Sequence, residues 1–309
     1  MSGYLQELTL RLSVGASRLN PDFRSRHANW LKNCQRDDGG FAGREGESDP
    51  YYTSFALRTL WVLGELDSEI AETAGIFLRQ RMQKRDSIVD LMSLIFAAAI
   101  LEMASGVVVI SDEDHQWRDN VAALLAKLRT QDGGFAKTPE GRAGSTYQTF
   151  LSVLCHELME VPVPDVEGVL RFLASQNQPD GGYREIRVAK RAGVNPTAAA
   201  IGSLKTLGHL DPTEQTNTIE FLLEMQGDEG GLAANTRIPF ADLLSSCTGL
   251  ITLVDLGAAS RLNAPRLQSY AESMQRDGGF VGFALDQTPD VEYTFYGVAT
   301  MSLLQTLDL

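Results

Sequence analysis

Cysteine is scarce in this sequence: Cys34, Cys155 and Cys247 are its three, and no two form a Cys-x-x-Cys pair. So odd and sparse a set excludes a disulfide-stapled secreted scaffold and fits small buried residues in a reducing compartment. The four histidines, His27, His115, His156 and His209, are scattered and show no metal-ligand spacing. No apolar run reaches the roughly 18–20 residues that a spanning helix needs, and the longest, from Leu91, is interrupted at Glu102. The opening Met1-Ser-Gly-Tyr-Leu-Gln-Glu7 lacks the basic start and apolar centre of a signal peptide, so a cytoplasmic protein is expected. Positive charge is also in deficit. Lys and Arg total 27 against 40 Asp and Glu, a net charge of −13, which argues against nucleic acid as the main partner.

Glycine pairs recur instead. Gly39-Gly40, Gly133-Gly134, Gly181-Gly182, Gly230-Gly231 and Gly278-Gly279 stand 94, 48, 49 and 48 residues apart. The first interval is nearly twice the others, so one unit has lost its glycines, and Gln83-Lys-Arg-Asp86 lies where they would fall. Six repeats then fill residues 27–309, after an N-terminal helix at about residues 2–18. Each repeat reads alike. A helix with one apolar stripe, such as Val121–Leu128, ends in a turn such as Gln131-Asp-Gly-Gly-Phe135. A loop follows, then a helix apolar nearly all round, as over Tyr147–Leu158 or Glu292–Leu307.

A helix that is apolar on every side must be buried on every side. Alternating it six times with a one-faced helix gives two concentric rings. An open solenoid is the structural alternative, but it would carry polar terminal caps. Here the last unit is among the most regular and ends on an apolar helix, which suits closure. The expected fold is therefore all-α, a single-domain α6/α6 toroid of six tandem helical hairpins over residues 1–309.

The Gln-x-Asp-Gly-Gly-Phe turns at this period resemble those of protein prenyltransferase β-subunits and of squalene–hopene-type cyclases. The final unit is most similar, with Gly278-Gly-Phe280 followed by Pro289-Asp-Val-Glu-Tyr-Thr-Phe-Tyr-Gly297. The resemblance implies an α6/α6 barrel whose central funnel holds an isoprenoid chain, with the diphosphate at the rim. It also implies an α-subunit-like helical partner. Complement-type thioester domains share the barrel, but their Cys-Gly-Glu-Gln motif is absent.

The resemblance also implies a zinc site, and here the sequence departs from it. The Asp position falls on Asp242, but the Cys position is Leu244 and the His position is Tyr293. Cys247, five residues after Asp242, lies about 140° round a helix and is a poor substitute. No metal ligand is assigned, and no cofactor is expected beyond Mg2+ arriving with a diphosphate. Diphosphate binding is instead expected from cations on the loops that enter the inner helices: Arg142, Arg187, Lys190, Arg191 and Arg237, with Arg44 and Arg184 beside them. Converging helix N-termini would favour the same anion. By the resemblance, Arg191 stands where the transferases carry a diphosphate-contacting His, and Arg237 lies near their basic residues. Each of these cations could equally be a solvated loop residue.

Aromatic residues cluster in the first turns of the inner helices: Tyr51, Tyr52, Phe55, Tyr147, Phe150, Phe240, Tyr293 and Tyr296. They can line an isoprenoid pocket or simply fill a core. Small residues beside them, such as Ser245-Ser246, Gly202 and Gly297, are expected to leave interior volume. Asp290-Val-Glu292-Tyr293-Thr294 resembles the Asp-x-Asp-Asp-Thr motif of class II cyclases, with Glu in place of the middle acid and Tyr in place of the last. The candidate acids are thus Glu292, Asp290 and Asp242, although Asp290 and Asp242, like Asp49, also read as helix caps. Asp112-Glu-Asp114 is expected to head an outer helix. Three readings remain. The leading one is a prenyltransferase-like enzyme that uses an isoprenoid diphosphate without a standard zinc site. The others are a proton-initiated terpene cyclase using Glu292, and a non-catalytic isoprenoid-binding or interaction scaffold.

Overall fold

The computed structural model describes residues 3–82, 88–111 and 115–307. The unit expected to lack its glycine turn near residues 83–86, and the acidic run at residues 112–114, lie outside the described residues. Helix α1 (Tyr4–Ala16) precedes six hairpins. These are α2 (Pro21–Lys32) with α3 (Pro50–Leu63), α4 (Ser68–Arg81) with α5 (Ile88–Ser105), and α6 (His115–Lys127) with α7 (Thr146–Leu158). They continue with α8 (Val166–Gln176) and α9 (Val194–Thr206), α10 (Thr216–Glu224) and α11 (Leu243–Asp255), and α12 (Ala264–Ser273) and α13 (Val291–Leu304). The second helix of each hairpin packs on the next in an inner ring, and α13 returns to α3. The ring is closed, as the apolar last helix requires, and the fold is the α–α toroid. Among the described residues no helix is long and apolar enough to cross a membrane.

The helix types follow their burial. Outer α8 buries Val169, Phe172 and Leu173 along one stripe. Inner α13 buries eleven of its fourteen residues, from Val291 to Leu304. The inner helices start sharply because short polar side chains cap them: Asp49 accepts from the Tyr52 amide at 2.8 Å, and Ser145 from the Gln148 amide at 3.1 Å.

The glycine turns do more than reverse the chain. Gly133 has φ +95°, and a Cβ there would lie 2.2 Å from the Gly168 carbonyl oxygen in the next outer helix. Gly39, Gly181 and Gly230 stand in the same relation to Thr73, Asn217 and Arg266. At the seam, Gly278 sits against Trp30 of α2, and its carbonyl lies 2.6 Å from His27 Nδ1. Burial lowers the His27 pKa to about 4, so it seals the ring as a neutral imidazole.

The residue after each pair is then latched from behind. The Phe41, Phe135 and Phe280 amides each donate to a threonine hydroxyl on the following inner helix at 3.0 Å, those of Thr53, Thr149 and Thr294. Tyr183 uses Thr197 at 2.8 Å, and Leu232 uses Ser246 at 2.9 Å. Two-residue strands β1 (Gln275–Arg276) and β2 (Gly279–Phe280) pair across the last turn. The sequence reading contained no strand, and this ladder is a turn closure rather than a sheet.

Helix α1 has a position the sequence reading did not assign. It lies across the C-terminal ends of the inner helices and floors the barrel. The Tyr4 amide donates to Glu157 at the end of α7, and the Tyr4 hydroxyl donates to Asp255 at the end of α11, 3.0 Å away. Asp255 is a carboxylate at a helix C-terminus with its side chain only 3 % exposed, an arrangement the helix dipole opposes. Arg11 at 3.3 Å and Lys205 at 2.5 Å supply the opposing charge. At its other end α1 presses Gly15 onto α13, where a Cβ would lie 1.9 Å from the Ser302 carbonyl oxygen.

This contact makes a test of the floor. In a free helix Gly→Ala gains about 0.8–1 kcal/mol of propensity. Against a fixed carbonyl the added methyl overpacks, at a cost of about 1–3 kcal/mol. Gly15→Ala is therefore expected to lower the urea midpoint. A raised midpoint would mean that α1 is not seated on α13.

Candidate functional site

At the mouth formed by the inner-helix N-termini, Glu292 occupies the first turn of α13. Its Oε1 accepts from the Tyr51 hydroxyl at 2.6 Å and from the Tyr296 hydroxyl at 3.2 Å. Both donors use the same oxygen, so Oε2 has no protein donor among the described residues. Burial pushes the Glu292 pKa up; the Tyr51 hydrogen bond opposes this, and the nearby Asp290 charge adds to it. Tyr147 of α7 also feels this carboxylate, and burial followed by Glu292 raises its pKa to about 12. Aromatic packing continues beneath. Phe55 lies 5.0 Å from Tyr51 and 5.5 Å from Tyr296, and Tyr293 lies 6.2 Å from Tyr296. Five sequence-selected aromatics thus gather about one buried carboxyl group.

The other selected residues are placed differently. Asp290 caps α13, accepting from the Glu292 amide at 2.8 Å, and Asp242 caps α11, accepting from the Ser245 amide at 2.7 Å and its hydroxyl at 2.8 Å. Burial raises the pKa of both; the cap engages both oxygens of Asp242 but only Oδ1 of Asp290, whose Oδ2 lies 3.8 Å from Arg44 Nε. Tyr52 lies 5.3 Å from Tyr51 and covers Gly43, and Phe240 stacks on Phe283, 6.0 Å between centroids. Phe150 lies deeper, 6.0 Å from Tyr4 on the floor. Gly202 makes room for the Phe150 ring, Gly297 makes room for Phe280, and Ser246 is a turn latch. Those small residues accommodate neighbouring groups rather than leave interior volume, contrary to the sequence expectation.

The rim cations divide into two groups. Arg44 is held in an ion pair by Asp286, with Asp290 3.8 Å from its Nε, and Arg184 turns outward onto the Ser175 carbonyl at 3.0 Å. Neither is available to a ligand as expected. Arg142, Arg187, Lys190, Arg191 and Arg237 are exposed. Among the five, Arg191 makes the one described side-chain contact, 3.4 Å to Thr236, which brings it beside the loop of Arg237. Free helix N–H groups contribute less than expected. The first amides of α7, α9 and α11 already donate to the next loop, at Glu185, Ala234 and Gly282.

The zinc expectation is tested by where its residues stand. Asp242 is a cap, Leu244 and Tyr293 offer no thiolate or imidazole, and burial pushes the Cys247 thiol up to about 12. Among the described residues no group of three or more His, Cys, Asp or Glu is placed to hold a metal ion. These residues do not fit a zinc site.

Sequence reasoning missed the interior. Arg58 of α3 stacks over Phe295 at 4.2 Å and over Phe96 at 4.9 Å, and its other neighbours are Cys247, Tyr296 and Tyr4. Burial dominates the pKa shifts of Arg58 and Tyr296, yet both keep accessible surface. Both side chains lie among the inner helices, with Tyr4 of the floor close to Arg58. A cation midway along a helix buried on both sides was the available signal.

The raised pKa of Glu292 carries a sign. Folding favours its protonated form, so the ionised form costs stability above the folded pKa, and that cost disappears as pH falls toward 4.5. Glu292→Gln keeps the acceptor for both tyrosines without the charge. The variant is expected to be more stable than the parent at pH 7–8, with the difference closing near pH 4.5 in paired denaturation curves. A difference independent of pH would mean that the carboxyl is not strained by burial.

Comparison with known proteins places this geometry. The chain is 26% identical over 201 residues to the protein farnesyltransferase subunit beta of Pisum sativum, a match covering 63% of this chain and 46% of that one. It is 23% identical over 202 residues to the geranylgeranyl transferase type-1 subunit beta of Arabidopsis thaliana, covering 60% and 53%. The chain therefore spans about half the length of the curated relatives it matches. Candida albicans protein geranylgeranyltransferase-I complexed with GGPP superposes with a TM-score of 0.72 at 16% identity, covering 91% of this chain and 90% of that one. A type II terpene cyclase variant from Scytonema, in complex with geranylgeranyl dihydroxybenzoate, gives 0.63 at 15% identity, covering 97% and 98%. The family model for the prenyltransferase alpha-alpha toroid domain matches residues 8–193 and 197–309, and the chain belongs to that family.

Proposed function

We propose that this protein binds an isoprenoid diphosphate with its chain inside the barrel and its diphosphate at the rim, and acts on it without a zinc ion. The observation that carries this reading is the pairing of an aromatic mouth with unengaged cations on the adjoining loops. In a chain of net charge −13 the long-range field repels an anion, so binding must come from charges within about one Debye length, roughly 8 Å at physiological salt. Arg191 and Arg237, on neighbouring loops, are the groups best suited to it. Guanidinium groups there would stabilise the diphosphate as the allylic C–O bond breaks and its electron pair passes to oxygen. Tyr51, Tyr147 and Tyr293 would meet the developing cation face-on. Mg2+ could accompany the diphosphate, and the β-subunit relatives suggest an α-subunit-like helical partner.

A second reading has its own support. The buried Glu292, with Oε2 free of protein donors, could protonate an alkene as a class II cyclase acid does. The interior cation at Arg58 weighs against it, because a carbocation travelling down the chain would be driven toward a fixed positive charge.

Titration with geranylgeranyl diphosphate and with the corresponding alcohol separates the readings. Arg191→Ala or Arg237→Ala is expected to weaken the diphosphate by about 10- to 100-fold, the span of charge-assisted hydrogen bonds of about 1.5–3 kcal/mol. The alcohol should change less than about twofold. Equal losses for both ligands would overturn the rim assignment, and no binding of either would favour the scaffold. A cyclic isomer formed from the isoprenoid alone, and lost in Glu292→Gln, would establish the cyclase instead.

A further inference from the structure

The described structure gives Arg58 no hydrogen-bond acceptor. Its Nε is fully buried without a partner, and no carboxylate pairs with the group. A guanidinium presents five N–H donors, and leaving them unmet in a protein interior is costly. The two phenylalanine faces offset part of this, but a cation–π contact leaves the N–H donors of the guanidinium without acceptors. Burial lowers the Arg58 pKa only to about 10, so the group remains charged at neutral pH.

Its position adds a second observation. Arg58 stands seven residues below Tyr51 on α3, about 10 Å deeper along the helix axis. It faces α5, α11 and α13, with Tyr4 of the floor beneath, and its side chain is not completely buried. Between the level of Tyr51 and Arg58 stand Phe55 and Phe295, 5.4 Å apart, so the surroundings above the guanidinium are apolar. A single positive charge with no second cation beside it balances a single negative charge, which fits a carboxylate better than a phosphate.

We propose that Arg58 is the deep end of a binding site for the carboxylate of a chain-like lipid acid. The chain lies along the barrel axis, and the acid enters from the mouth because α1 closes the other end. The carboxylate takes the guanidinium edge in a bidentate pair, while Phe96 and Phe295 keep the faces. This rests on the reading that the interior holds a chain-like ligand, but not on the diphosphate rim.

Calorimetric titration with farnesoic acid and palmitate, each against its alcohol, tests the site and separates an isoprenoid acid from a fatty acid. In the parent protein at least one acid is expected to bind about tenfold or more tighter than its alcohol. Arg58→Met should abolish that preference, weakening the acid by about 10- to 100-fold and leaving the alcohol unchanged. Replacing an unpaired buried charge by an apolar side chain should not lower thermal stability, and a thermal melt checks this. Should the methionine variant misfold, Arg58→Lys keeps the charge without the fork and is expected to retain only part of the preference. Acids and alcohols binding equally to the parent, or acid binding unchanged in either variant, would overturn the proposal. Geranylgeranyl diphosphate is the control. If it binds while neither acid does, the carboxylate site fails and the diphosphate reading stands; acid binding without diphosphate binding reverses that outcome.

Discussion

The toroid depends on a left-handed glycine pressed beneath the backbone of the next outer helix. At Gly39, Gly133, Gly181 and Gly230 the φ lies between +83° and +96°, and any side chain would strike a neighbouring main chain. Both demands, dihedral and space, exclude other residues. The contact links each unit to its successor rather than to itself, so it sets the angular step of the ring. At Gly278, also left-handed, the neighbour is instead the Trp30 side chain of α2, which brings the chain's last turn against its first outer helix. The latching hydroxyl then ties the turn to the inner helix. Thr294, for example, receives the Phe280 amide and donates to the Asp290 carbonyl at 2.7 Å. Because that carbonyl belongs to the N-cap residue, fixing the turn also fixes where α13 begins and hence where Glu292 stands.

With its angular step set, the barrel has two unlike ends. Loops and caps crowd the N-terminal mouth, where Asp290 and Asp242 each give one oxygen to a backbone amide. The C-terminal end would expose six sets of unpaired carbonyls and the apolar inner faces, and α1 covers it. Asp255 is tolerated there because Arg11, Lys205 and Tyr4 converge on it from two other elements. The two ends also differ in charge: Glu292 and its tyrosines stand at the N-terminal mouth, and Arg58 stands toward the floor, near Tyr4.

The features legible in the sequence are those whose cause is local. Glycine pairs at a 48-residue period reveal the turns because the conformational demand lies in the glycines themselves. Inner helices reveal themselves because burial on both sides leaves no polar face, and the aromatic cluster about Glu292 follows from shared first-turn positions. The latch was equally local and was overlooked: a hydroxyl residue follows the turn residue by fourteen positions in four latches, as in Phe135 with Thr149, and by twelve in Phe41 with Thr53. Other features were illegible for a physical reason. Arg44 looked like a free rim cation until Asp286, distant in sequence, came to rest against it. The seat of α1 is a single docking event with no period to betray it. Gly297 and Gly202 look alike in sequence, and only the fold shows that each makes room for a neighbouring aromatic.

The interior charge bears on which chemistry the barrel can run. A class II cyclisation moves positive charge along the folded chain, from the acid toward the base of the cavity. At an effective dielectric constant of about 20, a unit charge 10 Å from Arg58 is repelled by about 2 kcal/mol, and at 4 Å by about 4 kcal/mol. The repulsion grows as the reaction proceeds, which is the reverse of what a cyclase interior requires. The faces of Phe96 and Phe295, which could stabilise such a cation, are already taken by the guanidinium. On the proposed reading, ionisation of a diphosphate at the rim would place its transient cation near the mouth, where the Arg58 penalty is smallest. A carboxylate resting on Arg58 would cancel most of that field and make the lower barrel neutral. On either proposed reading, a charged Arg58 would thus confine cation chemistry to the mouth, and a neutralised one would let it extend inward.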